Sequence, residues 1–167
     1  VNKQGKKSDE VVLSGNFMDL WREIVSQTGG YFTRQQWNDR LDLGKTLKGM
    51  ISAREADEII RRLSFKSFES EYKIMIIWQP ESMNEAAANK ILKILEEPWQ
   101  KTIFLLITER ADLLLPTIIS RTQEVAVPRL MGEDLIPLAG CDDRLQAANM
   151  ARLAAGDVIE MKRIAGG

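Results

Sequence analysis

Few residue types in this chain can do chemistry, and they gather at three places. The 167 residues include no histidine and one cysteine, Cys141. Histidine catalysis, histidine metal ligands, an intramolecular disulfide and a multi-cysteine zinc site are therefore beyond the residues present. Carboxylate, hydroxyl and guanidinium groups remain. Glu81 lies just after a short apolar run, in Trp78-Gln79-Pro80-Glu81. Thr108-Glu109 closes a second apolar run, and Ser120-Arg121 follows a third segment. Taken alone, a Ser-Arg pair reads as a solvent-exposed salt bridge.

The elements that must position these residues are legible around them. Lys73–Trp78 is a β-branched apolar run, the pattern of a strand buried on both faces. Asn84 can cap the helix that follows. Ala88, Ile91, Leu92 and Leu95 fall at helical spacing and form its expected buried stripe. Glu96-Glu97-Pro98 ends that helix, because proline cannot continue it and restricts the residue before it. Ile103–Thr108 is expected to be a second buried strand. Asp112 opens a further helix, which Pro116 kinks or restarts at Thr117. Strand, helix, strand is a parallel βαβ unit, and ligand chemistry in such sheets sits at the C-terminal strand ends. Those ends are Trp78–Glu81 and Thr108-Glu109.

The flanks are read more simply. Residues 1–10 are polar and lysine-rich, a loop or a weak nucleic-acid footprint. Val11–Leu13 suits a short edge strand. Asn16–Thr28 is an amphipathic helix with Phe17, Leu20, Trp21 and Ile24 on one face, stopped by Gly29-Gly30. Thr33 caps a second short helix reaching about Leu41. Trp21, Tyr31, Phe32 and Trp37 cluster in sequence, which suits a core or a base-stacking surface. Asp42–Gly49 reads as a loop. Ser52–Leu63 is a strongly signalled helix, with a Ser52/Glu55 capping box and a stripe of Ala56, Ile59, Ile60 and Leu63. Its Arg54, Arg61 and Arg62 form a solvated face or a subunit or nucleic-acid contact. Ser64–Glu71 is a polar connection carrying Phe65 and Phe68. Thr122–Val127 alternates and is expected to be a third strand, ended by Pro128. Beyond Arg129 the chain is rich in Ala, Leu and Arg. Leu145–Ala155 is a helix closed by Gly156, and Asp157 caps another from Val158 to about Ile164.

Composition excludes little else. The charge count is 23 basic against 24 acidic residues, a net −1, so no polyanion partner is demanded. No apolar run is long enough for a membrane helix. No signal peptide is visible, and the chain opens at Val1 rather than Met. The expectation is a cytoplasmic, reducing-compartment protein without a membrane association, and a fragment of a longer chain.

Several motifs in one order carry a resemblance. MNEAAANKILKILEEP (Met83–Pro98) resembles the helix and LEEP signature of bacterial clamp-loader AAA+ subunits. LLLPTIISRT (Leu113–Thr122) resembles their SRC motif, with Thr122 in place of cysteine. Ser52–Tyr72 is similar to the segment leading into their Walker B strand. The resemblance is strong from about Ile51 to Pro128 and weak outside it. It implies a P-loop AAA+ α/β fold: a parallel sheet with flanking helices over residues 1–128, with the P-loop strand missing, followed by the start of an all-helical lid over 129–167.

Departures from the pattern narrow the function implied. In ATP-hydrolysing members the Walker B strand ends in Asp-Glu, which position Mg²⁺ and the attacking water. Here Ile74–Ile77 is followed by Trp78 and Gln79, a degenerate Walker B. Glu81 is either a displaced substitute or a surface or capping residue. The G-x-x-x-x-G-K-[ST] pattern is absent from the sequence and in this family would precede residue 1. Thr108 matches a sensor position that watches the γ-phosphate, or is a buried threonine satisfied by backbone. Arg121, supported by Ser120, matches an arginine finger that acts in trans on a neighbour's γ-phosphate.

A carboxylate-free Walker B with a retained SRC-type arginine resembles the delta-prime subunits of the bacterial DNA polymerase III clamp loader. The resemblance implies a non-hydrolysing subunit, part of the polymerase holoenzyme but not an ATPase itself. Its partners would be the gamma/tau motor and delta subunits of a hetero-pentamer, the sliding clamp and primed DNA. ATP and Mg²⁺ would lie in the neighbouring subunit, none would be bound by this segment, and a zinc module would precede residue 1. The rivals are a motor ATPase with an atypical Walker B and a pure scaffold. Glu96 and Glu97 oppose their helix dipole, so a nearby cation, such as one from a neighbouring subunit, is expected.

Overall fold

The structure is a computed structural model and describes residues 13–41, 49–65 and 70–166. The expected strand at Val11, most of the Asp42–Gly49 loop and Phe68 lie outside the described residues. In chain order the elements are α1 (Met18–Thr28), α2 (Arg34–Arg40), α3 (Ala53–Ser64), β1 (Lys73–Trp78), α4 (Glu85–Glu96), β2 (Thr102–Ile107), α5 (Pro116–Ile119), α6 (Gly132–Leu135), α7 (Arg144–Ala154) and α8 (Val158–Ala165). Short 3-10 turns precede α1, follow β1 and α6, and lie between β2 and α5. The described residues pack as two compact units, one within 1–18 and 45–124, the other within 19–44 and 125–167.

In the first unit β1 and β2 pair in parallel, from Lys73 opposite Thr102 to Trp78 opposite Ile107. Alternation sends Met75, Ile77, Phe104 and Leu106 to one face. There they pack with Ala87, Ile91 and Ile94 of α4 and Ala56, Ile59 and Ile60 of α3. α4 starts as its sequence dictates, with Asn84 Oδ1 accepting the Ala87 N–H at 2.8 Å. Ile51 pairs with Met83 in a single parallel bridge, bonding to Ser82 and Asn84, so α3 and α4 begin side by side. At the far end of α3, Lys73 Nζ donates to the Leu63 carbonyl at 2.6 Å, a cation where the helix dipole favours one.

Five expectations change here. The strands are buried on one face only: Ile74, Ile76, Ile103, Leu105 and Ile107 are 42% to 59% exposed. An unbroken apolar run does not say how many faces are covered, and α3 and α4 cover one. The buried stripe of α4 is Ala87, Ala88, Ile91 and Ile94, with Leu92 and Leu95 half-buried at its margin. The Ser52 box is half made: Ser52 accepts the Glu55 N–H at 3.4 Å, but the Glu55 carboxylate turns to Ser14 instead. Thr122–Val127 is not a strand; it pairs with neither β1 nor β2, and Val125 and Val127 stand open to solvent. Alternation without a partner leaves backbone groups to water. The helix expected from Asp112 is instead a 3-10 turn at Ala111–Leu113, a break, and α5 starting on Pro116.

The second unit is helical. Gly29 and Gly30 end α1 at φ of 68° and 86°, and Thr33 with Gln36 makes a full capping box on α2. The Trp21 ring stands edge-on to Phe32 and Trp37, with centroids 5.3 and 5.2 Å apart, as packed aromatics do. Lys162 Nζ donates to the Thr28 carbonyl at 2.7 Å and lies over the Tyr31 ring. A separate core joins Leu135 and Ala139 to Ala147, Met150 and Ala151 of α7 and Val158 and Met161 of α8. Small alanines on α7 let these helices approach closely. Asp143 and Asp157 cap α7 and α8. Gly156, at φ 84°, lies against the Leu130 backbone: a Cβ there would stand 2.6 Å from the Leu130 carbonyl oxygen. α6 was not expected from the sequence; four residues are too few for a readable period.

Candidate functional site

Two groups of candidate residues emerge, and α4 separates them. The first is at the C-terminal ends of β1 and β2. The Gln79 N–H still donates to the Ile107 carbonyl at 2.8 Å, so the ladder runs one residue past β1. Gln79 then takes a left-handed conformation, φ 56° and ψ 57°, which is costly for a residue with a side chain. The chain turns sharply there, and a 3-10 turn over Pro80–Ser82 carries Glu81 towards the end of β2. Thr108 Oγ1 donates to Glu81 Oε2 at 2.8 Å and accepts the Arg110 N–H at 2.9 Å. Thr108 is thus held by a carboxylate and one backbone amide, not by backbone alone.

Arg110 adds charge to this end. Its Nε and Nη2 reach Asp112 at 2.9 and 2.8 Å, a two-point pair. That hydrogen-bonded guanidinium holds the Asp112 carboxyl below its ordinary range. Asp112 in turn raises Arg110, and the Glu81 charge adds to the same effect. Sequence reasoning read Asp112 only as a helix start and did not single out Arg110; an arginine two residues from an aspartate just beyond a strand end was the available signal. Trp78 and Gln79, at the end of β1, are half-buried and offer no carboxylate. Among the described residues no group of three or more His, Cys, Asp or Glu side chains is arranged to hold a metal ion.

The second group is Ser120 and Arg121, just after α5. Arg121 Nη2 is 2.6 Å from Glu96 Oε1 at the last turn of α4. Its Nη1 donates to the Thr117 carbonyl at 3.1 Å and to Ser120 Oγ at 3.3 Å. Ser120 Oγ donates to the same Thr117 carbonyl at 3.1 Å. A cation near Glu96 is thus supplied within this chain, by Arg121. Arg121 is nonetheless 37% exposed at its side chain.

α4 opens four residues after Glu81 and closes on Glu96. Twelve residues of α-helix span about 18 Å. Glu81 with Thr108 and Glu96 with Arg121 thus occupy opposite ends of the βαβ unit. An arginine so placed does not reach the strand ends of its own chain.

The chain resembles known proteins in a consistent way. A family model described as DNA polymerase III, delta subunit, matches residues 10–131. A Bacillus subtilis (strain 168) protein named DNA polymerase III subunit delta' is 36% identical over 109 residues, 63% of this chain and 31% of that protein. The Pseudomonas aeruginosa protein of the same name is 46% identical over 56 residues, 34% of this chain and 17% of that one. The crystal structure of a DNA polymerase III, gamma subunit-related protein from Thermotoga maritima superposes with a TM-score of 0.55 at 27% identity. That match covers 71% of this chain and 40% of the other. The chain spans less than a third of the length of these two delta' relatives. With the family model covering most of its residues, the chain belongs to the delta-prime family of DNA polymerase III clamp-loader subunits.

Proposed function

We propose that this chain is part of a clamp-loader subunit that does not hydrolyse ATP itself and lends Arg121 to the active site of a neighbouring ATPase subunit. Its role would be to help place the sliding clamp on primed DNA, within a cytoplasmic hetero-pentamer with gamma/tau motor and delta subunits. Residues 1–128 would belong to the AAA+ α/β domain and 129–167 to the start of the helical lid. The observation that carries this reading is the separation of the two groups. The strand ends hold Trp78 and Gln79 where a hydrolysing site needs carboxylates, while Arg121 is exposed at the other end of α4. A guanidinium there suits a phosphate brought by another chain, where it would stabilise charge developing on the transferring γ-phosphate. ATP and Mg²⁺ would belong to that neighbour's site.

The test is DNA-stimulated ATP hydrolysis by the loader reconstituted with the full-length subunit. Arg121→Ala should lower turnover about tenfold or more at equal assembly, roughly 1.4 kcal/mol of barrier. An unchanged rate in an intact assembly leaves a scaffold without a finger.

One observation favours a second reading. Glu81 reaches Thr108 at 2.8 Å, so a carboxylate does sit between the strand ends. On that reading the subunit hydrolyses ATP with Glu81 in place of the missing Walker B glutamate. ATP turnover by the isolated full-length subunit, lost in Glu81→Gln, would select it.

A further inference from the structure

Glu96 ends a helix where a negative charge is unfavourable, and Lys93 is the basic residue of that last turn. The carboxylate nevertheless faces one specific cation, Arg121, across 2.6 Å. Arg121 is gripped from two more sides, by the Thr117 carbonyl and Ser120 Oγ, both on Nη1. A free arginine side chain samples many rotamers, and fixing them on arrival of a ligand costs entropy. Here the guanidinium is already fixed while still 37% exposed. Its anchor is the end of a helix that is itself locked in the core by Ile91 and Ile94. This is how a group is pre-ordered for a ligand that arrives later.

We infer that Glu96 is a positioning residue for Arg121, setting the direction of its guanidinium towards a phosphate presented by the neighbouring subunit. The inference rests on the trans-acting role proposed above for Arg121. Glu96 touches neither nucleotide nor reacting atoms; it acts through the arginine. The alternative, a latch that holds Arg121 back, is disfavoured by magnitude. Ion pairs this exposed are weak and are screened by salt. Such a pair cannot hold an arginine away from a triphosphate, but it can choose among rotamers.

The experiment is steady-state ATP hydrolysis by the reconstituted loader, with primed DNA and clamp saturating. It compares wild type, Glu96→Gln, Glu96→Asp and Arg121→Ala in the full-length subunit. Assembly is measured by gel filtration and subunit melting by calorimetry. Glu96→Gln should lower kcat about fivefold with KM for ATP little changed, with assembly and melting intact. Glu96→Asp should recover most of the loss. A merely structural role would move melting or assembly and not kcat alone. If Arg121→Ala lowers turnover while Glu96→Gln does not, Glu96 does not position it and the inference fails. If Glu96→Gln raises turnover, Glu96 is a latch and the inference is overturned. If Arg121→Ala itself has no effect, it is the trans-acting role of Arg121 that fails, and positioning fails with it.

Discussion

Thr108 Oγ1 donates to Glu81 Oε2 at 2.8 Å, joining the ends of two parallel strands through their side chains. The pair is partly buried and charge-assisted. Thr108→Val keeps the shape and removes the donor, leaving a carboxylate with one partner fewer. The expected cost is about 1.5 kcal/mol, the low end for hydrogen bonds to charged groups because water reaches the site. Urea denaturation of the full-length subunit measures it through a lower midpoint at unchanged slope. No change would mean that water replaces Thr108 freely.

Acid should weaken α3 through one residue. Glu58 accepts from Arg61 and Arg62, and these hydrogen bonds bring its pKa down from 4.5 to about 2. In the pH range above 4.5 both folded and unfolded chains carry the ionised carboxylate, and the pairing contributes in full. Between pH 4.5 and about 2 the unfolded chain binds the proton first, so the contribution fades as pH falls. Melting curves taken through that range should separate wild type from Glu58→Gln. The wild-type protein should lose stability more steeply, and the two should converge near pH 2. Parallel curves would show that the pairing is not made in solution.

The first unit depends on Ile91, which is fully buried between α3, α4 and the sheet. Ile91→Ala should destabilise by about 2–5 kcal/mol, from lost transfer energy and the cavity left behind. The same change at half-buried Leu95 should cost clearly less. Equal costs would show that the stripe is centred where the sequence alone puts it.

Two glycines in the second unit separate conformational strain from crowding. Gly30 at φ 86° has open space around a Cβ, whereas at Gly156 the Cβ would press on the Leu130 carbonyl and the Arg129 side chain. Gly30→Ala should cost about 1–2 kcal/mol for the left-handed backbone alone. Gly156→Ala should cost more, because backbone must also move. Thermal melting gives the order, and a smaller loss at Gly156 would contradict the packing described.

What could be read from the sequence was local. Asn84, Ser52, Thr33 and Asp157 each announce a helix start, because capping involves only the next few residues. The parallel βαβ order follows from two apolar runs and one amphipathic segment. What could not be read depends on residues far along the chain. Glu55 is taken by Ser14, and nothing near Ser52 says so. The open side of the sheet is invisible to a pattern that records hydrophobicity but not coverage. At the site, Glu96 was marked as needing a cation, and only tertiary structure supplies Arg121. Thr122–Val127 has strand-like alternation, but alternation does not supply a partner.

The parallel register also favours an order in time. A hairpin can zip from its turn, but β1 and β2 pair across the whole of α4, so their meeting carries a loop-closure cost that a helix formed in between reduces. Asn84 and the alanines at the start of α4 favour its early formation. The sheet is therefore expected to form after α4 in this unit. Strengthening α4 on its exposed side should speed folding, whereas strengthening the strands should mainly slow unfolding.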